Sequence, residues 1–177
     1  MTAARKTAVL TELKSNSFFA DFSETEIHDV VKVCTLHIFR PGEYALRENE
    51  DSQHIFIILA GKIRIGKTLY AGDEKELGFL GPGDFLGEMA FIDGSPRSAS
   101  ALCVEEATLL KIDKTPFEKL VSKKPAIAYK IIMKIAYSLS QRLRASNDVV
   151  EGLFSNPNKA ILEFKTRLLR IQAMLMR

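Results

Sequence analysis

Between residues 36 and 112 short apolar segments alternate with turn signals, whereas on either side of that block the apolar positions recur at three- and four-residue steps. The turns of the middle block are Pro41-Gly42, residues 49–52, Ala60-Gly61, Gly72-Asp73 and Gly81-Pro82-Gly83-Asp84, and the segments between them are rich in Ile, Phe and Leu. Strands interrupted roughly every eight to twelve residues predict an antiparallel jelly roll or barrel, with residues 101–104 and 108–112 as its last strands.

The flanks read as helical. Residues 7–35 divide into a short segment at 7–13, ending near Asn16, and a second helix opened by Ser23. Ser23 and Glu26 have capping-box spacing, followed by Ile27, Val30, Val31 and Cys34 on one face. Phe18, Phe19 and Phe22, between the two, read as core plugs. After the strands, Asp113 reads as an N-cap with Pro116 in the first turn of a helix ending near Val121, and Lys123-Lys124-Pro125 breaks the chain.

From Ala126 one helix can run to about Phe154, with Ile132, Ile135, Leu139, Leu143, Ser146, Val150 and Leu153 as a stripe. At ~40 Å it is longer than a domain of this size needs to cover its own core. Part of the stripe is therefore expected to meet the same helix of a second copy, giving a homodimer. Ser155-Asn156-Pro157-Asn158 interrupts the pattern, and residues 159–177 read as a final amphipathic helix through Ile161, Phe164, Leu168, Ile171 and Leu175. The class expected is α+β: residues 1–125 form a β roll with N-terminal helices, and 126–177 a helical extension.

Composition narrows the function. With 46% hydrophobic and 27% charged residues the chain matches a globular protein, and its longest apolar runs, such as residues 55–60, are far too short to span a bilayer. The first residues lack the apolar core of a signal peptide, so a cytoplasmic location with no membrane span is expected. Cys34 and Cys103 stand alone in apolar settings and read as buried thiols. The net charge of +3 hides an asymmetry: residues 123–177 carry eleven Lys/Arg against three acids, leaving residues 1–122 at −5. The basic tail reads first as the solvated face of helices and second as a contact for an acidic partner or nucleic acid.

Residues 83–100, GDFLGEMAFIDGSPRSAS, carry the chemistry. Gly83, Gly87 and Gly94 punctuate them. If residues 86–91 form one helical turn, the amides of Gly87, Glu88, Met89 and Ala90 point outward and favour an anion. Gly87 permits close backbone approach, and Arg97 offers a planar fork matched to phosphate oxygens. A bare phosphate site has no use for the carboxylate of Glu88, but a ligand with both a phosphate and a sugar hydroxyl would use both charges. As an isolated pair, Glu88 and Arg97 would read as a surface salt bridge worth under about 1 kcal/mol. The glycines, Pro96 and the run of small residues favour the ligand site.

This stretch resembles the phosphate-binding cassette of cyclic-nucleotide-binding domains, in which a Gly-Glu pair and a short apolar turn precede Arg-small-Ala. The matching residues are Gly87-Glu88-Met89-Ala90 and Pro96-Arg97-Ser98-Ala99-Ser100. The phrases FRPGEYALRENE and IFIILAGKIRI also resemble the first strands of that fold. The resemblance implies that Arg97 and the amides near Gly87 and Ser98 hold the cyclic phosphate, with Ala99 beside them, while Glu88 takes the ribose 2′-hydroxyl. It implies a non-enzymatic sensor with no cofactor, whose ligand is cyclic AMP; the Ser98 hydroxyl leaves cyclic GMP open.

In the bacterial activator members of the family a matching helix closes over the purine and dimerises. QRLRASND, residues 141–148, resembles that part and would place Ser146 and Asn147 near the base. Both also fit ordinary polar positions, with Ser146 breaking the stripe to set register. Too little chain follows for the winged DNA-binding domain of those activators, which argues against DNA binding. Two other classes are weighed. An assembly module with a degenerate pocket would use the basic C-terminal helix to bind a partner. A cupin-type metal enzyme needs several inward ligands, which His37 and His54 without a His-x-His pair do not provide.

Overall fold

The structure is a computed structural model that describes residues 13–69 and 72–155. A 3₁₀ turn at Ser17–Phe19 leads into α1 (Glu24–Val31). Strands β1 (Cys34–Phe39), β2 (Tyr44–Leu46), β3 (His54–Ala60), β4 (Ile63–Thr68), β5 (Glu74–Leu80) and β6 (Phe85–Leu86) precede the short helix α2 (Glu88–Asp93). Then come β7 (Ser100–Cys103), β8 (Ala107–Asp113), α3 (Lys114–Lys123) and α4 (Pro125–Ser155). The strands form two four-stranded antiparallel sheets, ordered β1-β8-β3-β6 and β2-β7-β4-β5, which is the α+β roll expected from the alternation.

Register explains why β3 is apolar from Ile55 onward. Phe56 pairs with Leu86, and with Ile58 these side chains join Ile63, Ala101 and Cys103 of the other sheet in one buried cluster between the sheets. Ile57 pairs with Phe85 and Leu110, so these three share the opposite face. That face is covered as well: the Phe18 ring meets Phe85 edge-on at 6.2 Å, and Ile57 and Leu110 are both buried. A strand wet on neither side has no use for alternation. Asn16 ties the N-terminal turn to this strand, accepting from Phe18 N–H and donating to Ile58 O at 3.0 Å.

The Ser23–Glu26 capping box is present in full, with Glu26 N–H donating to Ser23 Oγ and Ser23 N–H to Glu26 Oε2; such a cap contributes ~1 kcal/mol. The helix is shorter than its periodicity predicts. It stops at Val31, because Cys34 pairs with Ile112 as the first residue of β1, and the Cys34 thiol donates back to Val30 O. Asp113 is the N-cap of α3 by position but makes no side-chain capping bond; its carboxylate lies 2.8 Å from Lys111 Nζ. Both cysteines are free, Cys103 buried and Cys34 half-buried.

By compactness the chain divides after Lys134. Within the first unit the base of α4 buries Ile127, Ala128 and Ile131, whereas Ile132, expected on the inward stripe, is 39% exposed. Lys130 Nζ reaches Glu26 and Asp21 O, and Lys134 Nζ lies 2.6 Å from Asp21 Oδ1, fastening this base to the N-terminal helices. Within the second unit α4 continues to Ser155. The expected helix at 159–177, and all but Leu13 of that at 7–13, lie outside the described residues. Among the described residues no helix is long and apolar enough to cross a membrane.

Candidate functional site

Strand β6 is followed at once by Gly87, whose backbone is left-handed (φ 86°, ψ 11°) and turns the chain straight into α2. Glycine is required there twice over. Besides the strained φ, a Cβ at this position would stand 2.6 Å from Arg97 Nη1, 2.9 Å from His54 O and 3.1 Å from Leu46 Cδ1. The expected turn at residues 86–91 is thus displaced: Leu86 is a buried strand residue, and the helix begins at Glu88. Its first backbone bond runs from Phe91 N–H to Gly87 O, so the amides of Glu88, Met89 and Ala90 precede the intrahelical ladder. Glu88, Ala90 and Phe91 are buried, Met89 is 48% exposed, and Gly94 closes the helix at φ 74° by donating to Ala90 O.

Arg97 returns to this point from the loop before β7. It is 2% exposed. Nη1 donates to Gly87 O and Nη2 to His54 O, each at 2.7 Å, and Nε donates to Ser52 Oγ at 2.9 Å. Three of its five N–H groups are used in these bonds, leaving two for another acceptor. Burial pushes the guanidinium below its ordinary pKa, while the carboxylates of Glu50 and then Glu88 oppose that shift. The main chain is held equally: Arg97 N–H donates to Glu50 O and Asn49 N–H to Arg97 O. A surface salt bridge is excluded, since both charges of the Glu88/Arg97 pair are buried.

Ser98 is exposed, its hydroxyl donating to Met89 Sδ at 3.5 Å, and Ala99 is half-buried. The cassette residues Gly87 to Ala90 and Arg97 to Ala99 are therefore brought together around one backbone turn. Ser146 and Asn147 are exposed residues of α4 in the second unit.

Sequence reasoning missed Asn49, Glu50, Ser52 and His54. The first three were legible only as a turn, and His54 supplies a carbonyl, which any residue would. Its ring is itself unusual: Nε2 is buried with no hydrogen-bond partner, and the ring stands edge-on to Phe56 at 4.9 Å. Burial, followed by the charges of Arg97 and Lys111, pushes its pKa from 6.5 down to about 4. Among the described residues no three His, Cys, Asp or Glu side chains are grouped to hold a metal ion.

The site is thus a two-sheet roll in which a buried arginine is locked against a left-handed Gly-Glu turn. Residues 36–124 match the cyclic nucleotide-binding domain family, and the chain belongs to it. A cyclic AMP receptor protein of Thermus thermophilus is 27% identical over 76% of this chain. This chain spans only 61% of that relative's length. The crystal structure of the T. thermophilus catabolite activator protein superposes with a TM-score of 0.67 at 27% identity, over 77% of this chain and 62% of that one. A cyclic nucleotide-binding domain from Methylobacillus flagellatus shares the fold at a TM-score of 0.71 and 23% identity, over 82% of both chains.

Proposed function

We propose that this chain is a non-enzymatic sensor of cyclic AMP that reports occupancy through its C-terminal helices. The phosphate is received by the two spare N–H groups of Arg97 and by amides at Gly87 to Ala90 and near Ser98, with Ala99 keeping the approach clear. Glu88 takes the ribose 2′-hydroxyl, and Ser146 and Asn147 contact the base. The observation that carries this reading is the burial of Arg97, to 2% exposure, with its fork fixed beside a left-handed Gly87 and the buried carboxylate of Glu88. The three direct acceptors of this buried cation are neutral, and beside the nearby carboxylates of Glu50 and Glu88 its remaining N–H groups favour an anionic ligand.

Ligand can move the helices only if it binds one of their arrangements better than the other. The output is a homodimer through α4. Ala136, Ser140, Leu143, Asn147, Val150 and Phe154, alternately four and three residues apart, are all exposed, as a coiled-coil seam awaiting its partner would be.

Thermal unfolding with cyclic AMP, cyclic GMP and 5′-AMP in parallel tests the reading. A ligand that binds only the native state at a hundred times its Kd stabilises by about 2.7 kcal/mol. Cyclic AMP is expected to raise the melting temperature most and 5′-AMP least. No shift with either cyclic nucleotide would leave a degenerate pocket as the better account.

A further inference from the structure

The cassette loop, residues 94–99, has no regular backbone ladder of its own, yet its end is gripped by a side chain from β4, the strand that pairs with β7. Lys67 stands on β4 one residue beyond Gly66, which pairs with Ser100 at the start of β7. Its ammonium donates to Ser98 O at 2.7 Å and to Glu48 Oε1 at 2.9 Å.

Glu48 is anchored in turn. Its other oxygen accepts Thr68 N–H at 2.8 Å, and its own N–H donates to Ser100 Oγ at 2.9 Å. The Glu48 side chain is 10% exposed and that of Lys67 48%, so the pair has a sheltered carboxylate end and a half-open ammonium end. Across the ladder Lys67 faces Lys75, a like-charge pairing that disfavours any pose turning Lys67 away from Glu48.

From the same segment that supplies Glu48, Asn49 N–H donates to Arg97 O and Glu50 O accepts Arg97 N–H. Asn49 holds the left-handed φ of 63° in doing so. The loop is thus held at Arg97 by the main chain of residues 49–50 and at Ser98 by Lys67, itself tied to Glu48.

We infer that Lys67 and Glu48 are positioning residues for the nucleotide site: they fix the Ser98 carbonyl, and through it the Arg97–Ser98 peptide, without touching the ligand. The inference rests on the reading of the cassette as the phosphate site. A loop left to sample other conformations would bind in proportion to the fraction still correctly arranged.

Two measurements on Lys67→Met separate the clasp from the site. Without ligand, backbone amide exchange at Asn49 and Arg97 is expected to quicken by about tenfold while the rest of the β roll keeps its protection, because a local opening is involved. Calorimetric titration of the whole chain with cyclic AMP is expected to show affinity reduced about tenfold, the loss of one charge-assisted bond. Glu48→Gln should move both in the same direction.

Unchanged exchange and unchanged affinity in Lys67→Met would overturn the inference. So would weaker binding with unchanged exchange, which would make Lys67 a direct ligand contact. A wild-type chain that binds no cyclic nucleotide would remove the reading of the site and with it the affinity arm, while the exchange arm would still decide whether the clasp exists.

Discussion

The carbonyl oxygen of Gly87 accepts both Arg97 Nη1, at 2.7 Å, and the first helical amide of α2, from Phe91, at 3.2 Å. One oxygen therefore fixes the arginine fork and the start of the short helix relative to each other. The glycine's left-handed backbone is what turns that oxygen inward while leaving the next amides outside the ladder. Strain, charge placement and amide presentation depend on the same residue.

Gly87→Ala is accordingly expected to be damaging out of proportion to one methyl group. The left-handed backbone alone costs about 1–2 kcal/mol for an L-residue. The added Cβ must also displace Arg97 Nη1, 2.6 Å away. Urea denaturation should show at least that loss of stability, and nucleotide titration a weakened response. Wild-type stability would mean that this turn relaxes freely, contrary to the packing around it.

Arg97 and Glu88 should separate by ligand chemistry. Arg97→Ala is expected to leave a folded chain whose cyclic AMP affinity falls by about 2–5 kcal/mol. Arg97→Lys should not recover it, since a point charge cannot meet Ser52, Gly87 and His54 together. Glu88→Ala should cost less and chiefly erase discrimination against the 2′-deoxy ligand. Calorimetry of each variant with both ligands checks this; an equal loss for the two ligands in Glu88→Ala would remove the ribose assignment.

The half of the site that could be read beforehand is the half in which a backbone or charge demand selects the residue type. Only glycine tolerates the turn at 87, and only arginine spans three acceptors at 97. Arg97's own acceptors were invisible because two of them are main-chain carbonyls, which leave no trace in side-chain identity. In the helices, periodicity gave existence but not register. Ile131, Ile132 and Met133 are consecutive apolar residues, and either Ile131 or Ile132 could have faced inward; packing chose Ile131. At Cys34 a helical repeat lost to strand pairing with Ile112, a long-range bond that no local window contains.

His54 should give stability a pH dependence above the usual carboxylate range. Its imidazole titrates near 6.5 when unfolded but is pushed to about 4 in the fold by burial and then by Arg97 and Lys111, with Asp113 opposing and His37 adding. Between those values the unfolded chain binds more protons, so stability is full above pH 6.5 and falls as pH drops towards 4. His54→Leu removes the proton site while keeping an apolar neighbour for Phe56. Melting temperatures from pH 7 to 4.5 should fall less steeply in the variant, and parallel curves for the two proteins would show that the ring protonates without penalty.

The exposed seam of α4 makes the last prediction, about assembly. Leu143 is 63% exposed, Val150 46% and Phe154 80%, and all three recur in the four-three alternation that also contains Asn147. The seam shares only Leu143 and Val150 with the stripe expected beforehand, taking Ala136, Ser140, Asn147 and Phe154 where that stripe had Ile135, Leu139, Ser146 and Leu153. If it closes against a second copy, Leu143→Glu places two carboxylates in an apolar interface, and sedimentation equilibrium should report a monomer where the wild type is a dimer. Asn147→Leu is expected to tighten association but to loosen its specificity, because a single buried polar residue fixes register and strand number at the expense of stability. A wild-type chain that stays monomeric at high concentration, or a Leu143→Glu variant that still dimerises, would move the interface elsewhere. Asn147 would then be left to the nucleotide base alone.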